Sequence, residues 1–164
     1  MKSKTNIFLL ISFLIALSFT AWAYYQSNHK VGELTADKNL DKDFQLCNEQ
    51  RIYEYYNYDT DYIGGKKQIK NTIFNDLKSL NFKESGLMTF RFVVNCKGEI
   101  GRFRVKSIDQ YLKKNEVSSE NIREIEKALI KLKNWNPGKN KYGAHDSYYL
   151  LNFKIENNKI IDIF

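Results

Sequence analysis

GLMTFRFVVNCKGEIGRFRVKSI, residues 86–108, decides how this chain folds. Met88, Phe90, Phe92 and Val94 alternate with Thr89, Arg91, Val93 and Asn95. Successive side chains of a strand point to opposite faces, so the run reads as a strand with one apolar face. Cys96-Lys97-Gly98-Glu99 supplies a turn, and 100–108 returns. On the return run Gly101, Phe103 and Val105 share one face, while Arg102, Arg104 and Lys106 share the other. The expectation is a β-hairpin with an apolar face and a basic face, and a chain built to cover the apolar one.

Two stripes supply that cover. Ile69, Ile73, Leu77 and Leu80, with Phe74 beside them, recur at helical spacing after Gly64-Gly65. Ile122, Ile125, Leu129 and Leu132, helped by Ala128, make a second stripe. Ser118 or Ser119 offers its N-cap and Glu120 sits in the first turn. This helix is expected to end near Asn134-Trp135, since Pro137 halts a helix and Gly138 turns the chain. The end of the chain is a second β unit. Tyr149, Leu151, Phe153 and Ile155 alternate with Tyr148, Leu150, Asn152 and Lys154. Asn157-Asn158 suits a two-residue turn, and 159–164 returns. The predicted fold is α+β: a small antiparallel sheet with two helices on one face, preceded by an N-terminal hydrophobic helix.

Lys2 and Lys4 precede an uncharged run over 7–25. As a helix it is roughly 28 Å long, close to the hydrocarbon thickness of a bilayer. Ala21 and Ala23 also fit an A-x-A processing site. Residues 1–25 are therefore read as a signal peptide or a membrane anchor. Either reading places the remainder across the cytoplasmic membrane, exported and periplasmic, with a membrane contact if the segment stays uncut. Residues 26–43 read as a flexible tether and 44–164 as the domain, with a tyrosine-rich arm over 44–62 and a core over 63–164.

The chain has 164 residues, 43% of them hydrophobic and 15% aromatic, which suits one packed domain plus an N-terminal appendage. Its two cysteines are Cys47 and Cys96. In an exported chain such a pair reads as a disulfide, the alternative being two buried thiols. Without histidines beside them they do not make a zinc site. The net charge of +7 permits an acidic peptide, an anionic membrane or a nucleic acid. Nucleic acid is not expected, because export removes that partner and because Phe103 lies opposite the arginines of its own strand. The tyrosines of the arm, Tyr53, Tyr55, Tyr56, Tyr58 and Tyr62, suit either packing on the sheet or contact with a cell-wall or peptide surface.

Several motifs fail on their chemistry. Asp59, Asp61 and Gly64 have the spacing of a calcium loop, but Ile63 and Lys70 stand where oxygen ligands belong. Gly64-Gly65-Lys66-Lys67 lacks the first glycine of a phosphate loop and reads as a turn before a helix. His145, Asp146 and Ser147 are adjacent on an extended run, which points alternate side chains apart. No catalytic, metal or cofactor site is assigned, and an enzyme is not expected.

Taken in order, these features resemble the C-terminal domain of TonB-type envelope proteins, in the form found in Bacteroidota. The words that carry the resemblance are Tyr62-Ile63-Gly64-Gly65 before the first domain helix, and Phe90-Arg91-Phe92-Val93-Val94-Asn95 followed by Lys97-Gly98-Glu99-Ile100. Trp135-Asn136-Pro137-Gly138 after the second helix and a closing strand over 149–155 complete the set. The likeness covers about two-thirds of the chain. The chain departs from the family in having Ile63 where a proline is usual, and in lacking a proline-rich spacer, since Pro137 is its sole proline. The resemblance implies an interaction domain that captures an extended segment of a protein partner, such as an outer-membrane transporter, by adding it as a strand to a sheet edge. It also makes a homodimer by strand exchange conceivable. On this reading Tyr149, Leu151 and Phe153, with Lys159, Ile161 and Ile163 of the last strand, are expected near the binding edge. Arg102, Arg104 and Lys106 are expected to attract acidic residues of the partner.

Overall fold

The computed structural model describes residues 2–29, 41, 44–49, 51–54 and 59–164. Most of the expected tether, and Tyr55, Tyr56 and Tyr58 of the arm, lie outside the described residues. The chain divides into two compact units, Met1–Thr35 and Ala36–Phe164. The first contains α1 (Lys2–His29), a single helix. Its segment Lys4–Tyr25, 22 residues, is long and apolar enough to cross a membrane. At 1.5 Å per residue that segment is about 33 Å long, against a hydrocarbon layer of about 30 Å. Such a helix suits a signal sequence or an anchor.

The second unit contains, in order, β1 (Tyr53–Glu54), β2 (Asp61–Tyr62), α2 (Gly65–Leu77), β3 (Gly86–Val94), β4 (Ile100–Asp109), α3 (Ser119–Ile130), β5 (Trp135–Asn136), β6 (Gly138–Asn140), β7 (Gly143–His145), β8 (Ser147–Glu156) and β9 (Lys159–Ile163). The expected hairpin is present as β3 and β4, antiparallel from Gly86 opposite Asp109 to Val94 opposite Ile100. β3 also pairs antiparallel with β8, from Gly86 opposite Ile155 to Val94 opposite Ser147. The sheet runs β1-β8-β3-β4, and β9 pairs with the C-terminal half of β8. Because β1 joins β8 in parallel, the sheet is mixed rather than purely antiparallel.

Alternation places the core. Met88, Phe90, Phe92 and Val94 of β3 and Tyr149, Leu151, Phe153 and Ile155 of β8 turn to the same side. They meet Ile69, Ile73 and Leu77 of α2 and Ile125, Ala128 and Leu129 of α3. Phe90, Phe92 and Phe153 have no exposed surface. Burying each is worth about 2–3 kcal/mol as an upper estimate. Phe92 and Tyr149 also form an aromatic corner with Trp135, whose ring lies 5.4 Å and 4.9 Å from theirs edge-on.

Local chemistry sets the element ends. Gly64 takes φ 86° as it leads into α2, which is the turn read from the sequence. Ser118 caps α3, its hydroxyl accepting from the Asn121 N–H at 3.2 Å. α3 stops at Lys131, short of the expected Asn134-Trp135. Trp135-Asn136 instead pairs antiparallel with Asp61-Tyr62, which seats the Trp135 ring 5.1 Å from Tyr62. Asn157 (φ 49°) and Asn158 (φ 67°) both take left-handed backbone and close the β8–β9 hairpin as expected.

One residue alters the face assignment of β4. Arg91 pairs with Arg104 and Val93 with Gly101, so Phe92 alone faces two residues, Arg102 and Phe103. This is a β-bulge, with Arg102 at φ 56°. The extra residue moves Gly101 off the apolar face, so that face is formed by Ile100, Phe103 and Val105. A strict period of two could not reveal this.

Candidate functional site

The face of the sheet away from the helices is basic in sequence, and an arm covers part of it. Asp41 accepts from both terminal nitrogens of Arg104, at 3.0 and 2.9 Å. The Arg102 guanidinium lies 3.7 Å from Asp41 through Nε and 3.2 Å from Glu49 through a terminal nitrogen. Phe44 packs against Gly101, so close that a Cβ there would lie 2.3 Å from the Phe44 Cγ. Glu54 pairs with Arg91 at 3.0 Å, and the Arg91 guanidinium stands 5.1 Å over the Tyr148 ring. Burial pushes the Tyr148 hydroxyl above its usual range. The expected steering surface is thus largely neutralised from within. Arg102 is only 7% exposed, and only Lys106 of the three predicted basic residues is exposed.

The Cys47–Cys96 disulfide holds this arm to the hairpin turn, with Cα atoms 6.0 Å apart. Together with the apolar α1 it is consistent with export. Asp146, fully buried, accepts from the Cys96 N–H at 2.8 Å and from the Asn48 N–H at 2.7 Å. Asn95 organises the turn: its Oδ1 accepts from the Lys97 and Glu99 N–H groups, and its Nδ2 donates to the Gln45 carbonyl. His145 packs against Tyr53 with the rings tilted by 55° and their centroids 4.2 Å apart, and the Ser147 hydroxyl bonds the Thr60 hydroxyl at 2.6 Å. The three adjacent residues His145, Asp146 and Ser147 therefore face three different partners. Among the described residues, the one cluster of potential metal donors is Cys47, Cys96 and Asp146, and the disulfide removes both thiolates from it.

The predicted edge residues separate into two groups. Tyr149, Leu151 and Phe153 are 5%, 0% and 0% exposed. β8 is flanked by β3 on one side, and on the other by β1 at Ser147 and Tyr148 and by β9 from Phe153 to Glu156; these three side chains belong to the core. β9 is an edge strand, with Lys159 and Ile161 exposed and Ile163 buried, but its edge is blunted. An irregularity in the pairing falls at Ile161. The Ile163 N–H donates to Asp162 at 2.8 Å, and Asp162 is held by Lys70 at 2.5 Å. The Lys70 hydrogen bond, then the Ile163 N–H, hold the Asp162 carboxyl below its usual range. Bulges and charged side chains of this kind protect an edge from further pairing.

The opposite edge is different. At the end of β4, the Ser107 carbonyl accepts from the Asn115 N–H at 3.1 Å, and the Asp109 N–H donates to Lys113 at 2.8 Å. Backbone groups alternate in direction along an antiparallel strand. The next outward-facing residues are therefore Val105 and Phe103. Arg104 Nη1 donates to the Phe103 carbonyl at 2.7 Å. Among the described residues, no backbone hydrogen bond from outside the β3–β4 ladder reaches the Phe103 N–H or either Val105 backbone group. This edge opens into a groove of about 880 Å³. Its β4 wall includes Ile100, Phe103 and Val105, and its α3 wall is Ile122, Glu126 and Ile130. Ile130 is 47% exposed. Burial pushes the Glu126 carboxyl above its usual range, against the opposing pull of Arg104.

Sequence reading missed this groove for two reasons. The bulge at Arg102 carries no compositional signal. The second α3 stripe, Ile122-Glu126-Ile130 at steps of four, is present in the sequence but is overshadowed by the stronger buried one.

Fold and site define a mixed α/β domain, tied by a disulfide to its own N-terminal arm, with the β4 edge beside a half-apolar helix face unpaired beyond its end among the described residues. Comparisons with protein-family models, with curated proteins and with solved structures find no match to this chain.

Proposed function

We propose that this chain is a non-enzymatic, exported interaction domain that holds an extended segment of a protein partner as an added strand on the outer edge of β4. The observation that carries the reading is the outward backbone of Phe103 and Val105 facing a groove walled by α3. Strand addition supplies affinity through main-chain hydrogen bonds and selectivity through alternate side chains. The resemblance to TonB-type domains supports the same mode of capture. The partner is then a cell-envelope protein, an outer-membrane transporter being the family's example, and the compartment is the periplasm. The edge proposed is β4 rather than the β8–β9 side first expected, because β1 and β9 already pair with the two ends of β8 and the β9 edge is blunted.

Photo-crosslinking residues placed at Ile130 and Lys133 beside the groove, and at Ile161 on β9, test this in intact cells. The expected result is one protein adduct from the groove positions and none from Ile161. An adduct from Ile161 alone would overturn the assignment.

A further inference from the structure

α3 presents Ile122, Glu126 and Ile130 to the groove at positions i, i+4 and i+8. Four residues of helix advance about 6.0 Å. Two residues of strand advance about 6.8 Å. A strand added to β4 and running along α3 would therefore bring three successive inward-facing side chains against Ile122, Glu126 and Ile130 in turn. The outer two meet apolar surface, in a groove also lined by Ile100, Phe103 and Val105. The middle one meets a carboxyl.

That carboxyl is unusual in its setting. Glu126 is half-buried, and no hydrogen bond or ion pair joins it to any other described residue. Arg104, the cation that most affects it, directs its terminal nitrogens to Asp41 and to the Phe103 carbonyl. A carboxylate flanked by two isoleucines is a poor neighbour for an apolar or acidic side chain. It is a good one for an ammonium or guanidinium, because a charge-assisted hydrogen bond is strengthened where water is partly excluded.

We infer that the segment captured at β4 carries a lysine or arginine between two apolar residues at alternating positions, apolar–x–basic–x–apolar, with the basic side chain seated on Glu126. This rests on strand addition at β4 as proposed above, and adds the sequence that the edge selects. The chain as a whole carries a net charge of +7. Basic peptides are repelled at long range, so a basic residue is rewarded only when the register brings it to Glu126. Recognition would then read position as well as charge.

The test uses the full chain in detergent micelles and end-blocked, fluorescently labelled peptides. The parent probe is Thr-Val-Thr-Lys-Thr-Val-Thr. Companions replace its lysine by glutamate or alanine, or move the lysine one place out of phase. The expected result is that the parent binds at least about tenfold more tightly than the glutamate and out-of-phase peptides. Glu126→Gln should remove this preference, and Glu126→Lys should invert it in favour of the glutamate peptide. Equal binding of the lysine, glutamate and alanine peptides, unaffected by Glu126→Lys, would overturn the selectivity and leave strand addition standing. No binding of any of them at millimolar concentration, the alanine peptide included, would overturn strand addition at this edge and the selectivity with it.

Discussion

Replacing both bridging cysteines, Cys47→Ser with Cys96→Ser, removes the covalent tie between arm and hairpin. The bridge spans a sequence separation of 49. The loop-closure entropy it withholds from the unfolded chain corresponds to about 4 kcal/mol. For a domain of this size that is a fall of roughly 15 °C in melting midpoint. The polar contacts of the arm, Asp146 to Asn48 and Asn95 to Gln45, are retained in the variant, so the native fold persists at room temperature. Near-ultraviolet circular dichroism is the assay of choice, because buried Trp135 and its aromatic neighbours lie in the domain while exposed Trp22 lies in α1. The wild-type chain in excess dithiol should melt together with the double variant. A shift of less than about 3 °C would refute the reasoning that the bridge restrains a long loop.

Three further outcomes follow from particular contacts. Gly101→Ala places a Cβ 2.3 Å from the Phe44 Cγ and should cost about 1–3 kcal/mol in urea titrations; an unchanged midpoint would mean that Phe44 is not seated there. Asp146→Asn leaves one of two part-buried backbone N–H groups facing an amide donor instead of a carboxylate. It should cost about 1–3 kcal/mol by the same measurement, and a neutral result would contradict the buried cradle. Glu126→Gln should be pH-dependent. Burial raises the Glu126 pKa in the folded state above the usual 4.5. Its protonated form therefore stabilises the fold fully below the unfolded value, and that contribution is lost as pH rises through the folded value. The glutamine variant should be the more stable at pH 7, by under about 1 kcal/mol because the group is only half-buried, and equal to wild type near pH 3. A gap that widened toward low pH would contradict this.

Much of the fold could be read from residue periodicity. The β3–β4 hairpin, both helices and the Asn157-Asn158 turn follow from alternation, helical stripes and left-handed propensity, each a local property. What escaped was non-local. That β1 would pair with β8 in parallel depends on where the arm lands, and no pattern within Tyr53-Glu54 encodes it. The early stop of α3 comes from Trp135 pairing with Tyr62, a contact across more than seventy residues of sequence. The site was the least legible part. Tyr149, Leu151 and Phe153 have the strong alternation of a buried strand, and that same strength seats them in the core. Arg102 and Arg104 looked available because the acids that neutralise them, Asp41 and Glu49, lie far away in sequence. An open edge is defined by the strand that is missing beside it, and composition does not record that.

The claim that β4 accepts a strand is tested most directly at its own amides. Hydrogen exchange of the full-length chain, resolved by residue with and without the parent peptide, follows the N–H groups of Phe103 and Val105. Strand addition requires both to be slowed together on binding, with the β9 amide of Ile161 unchanged. Slowing at Ile161 with Phe103 and Val105 unaffected would contradict it, and would return the binding edge to β9.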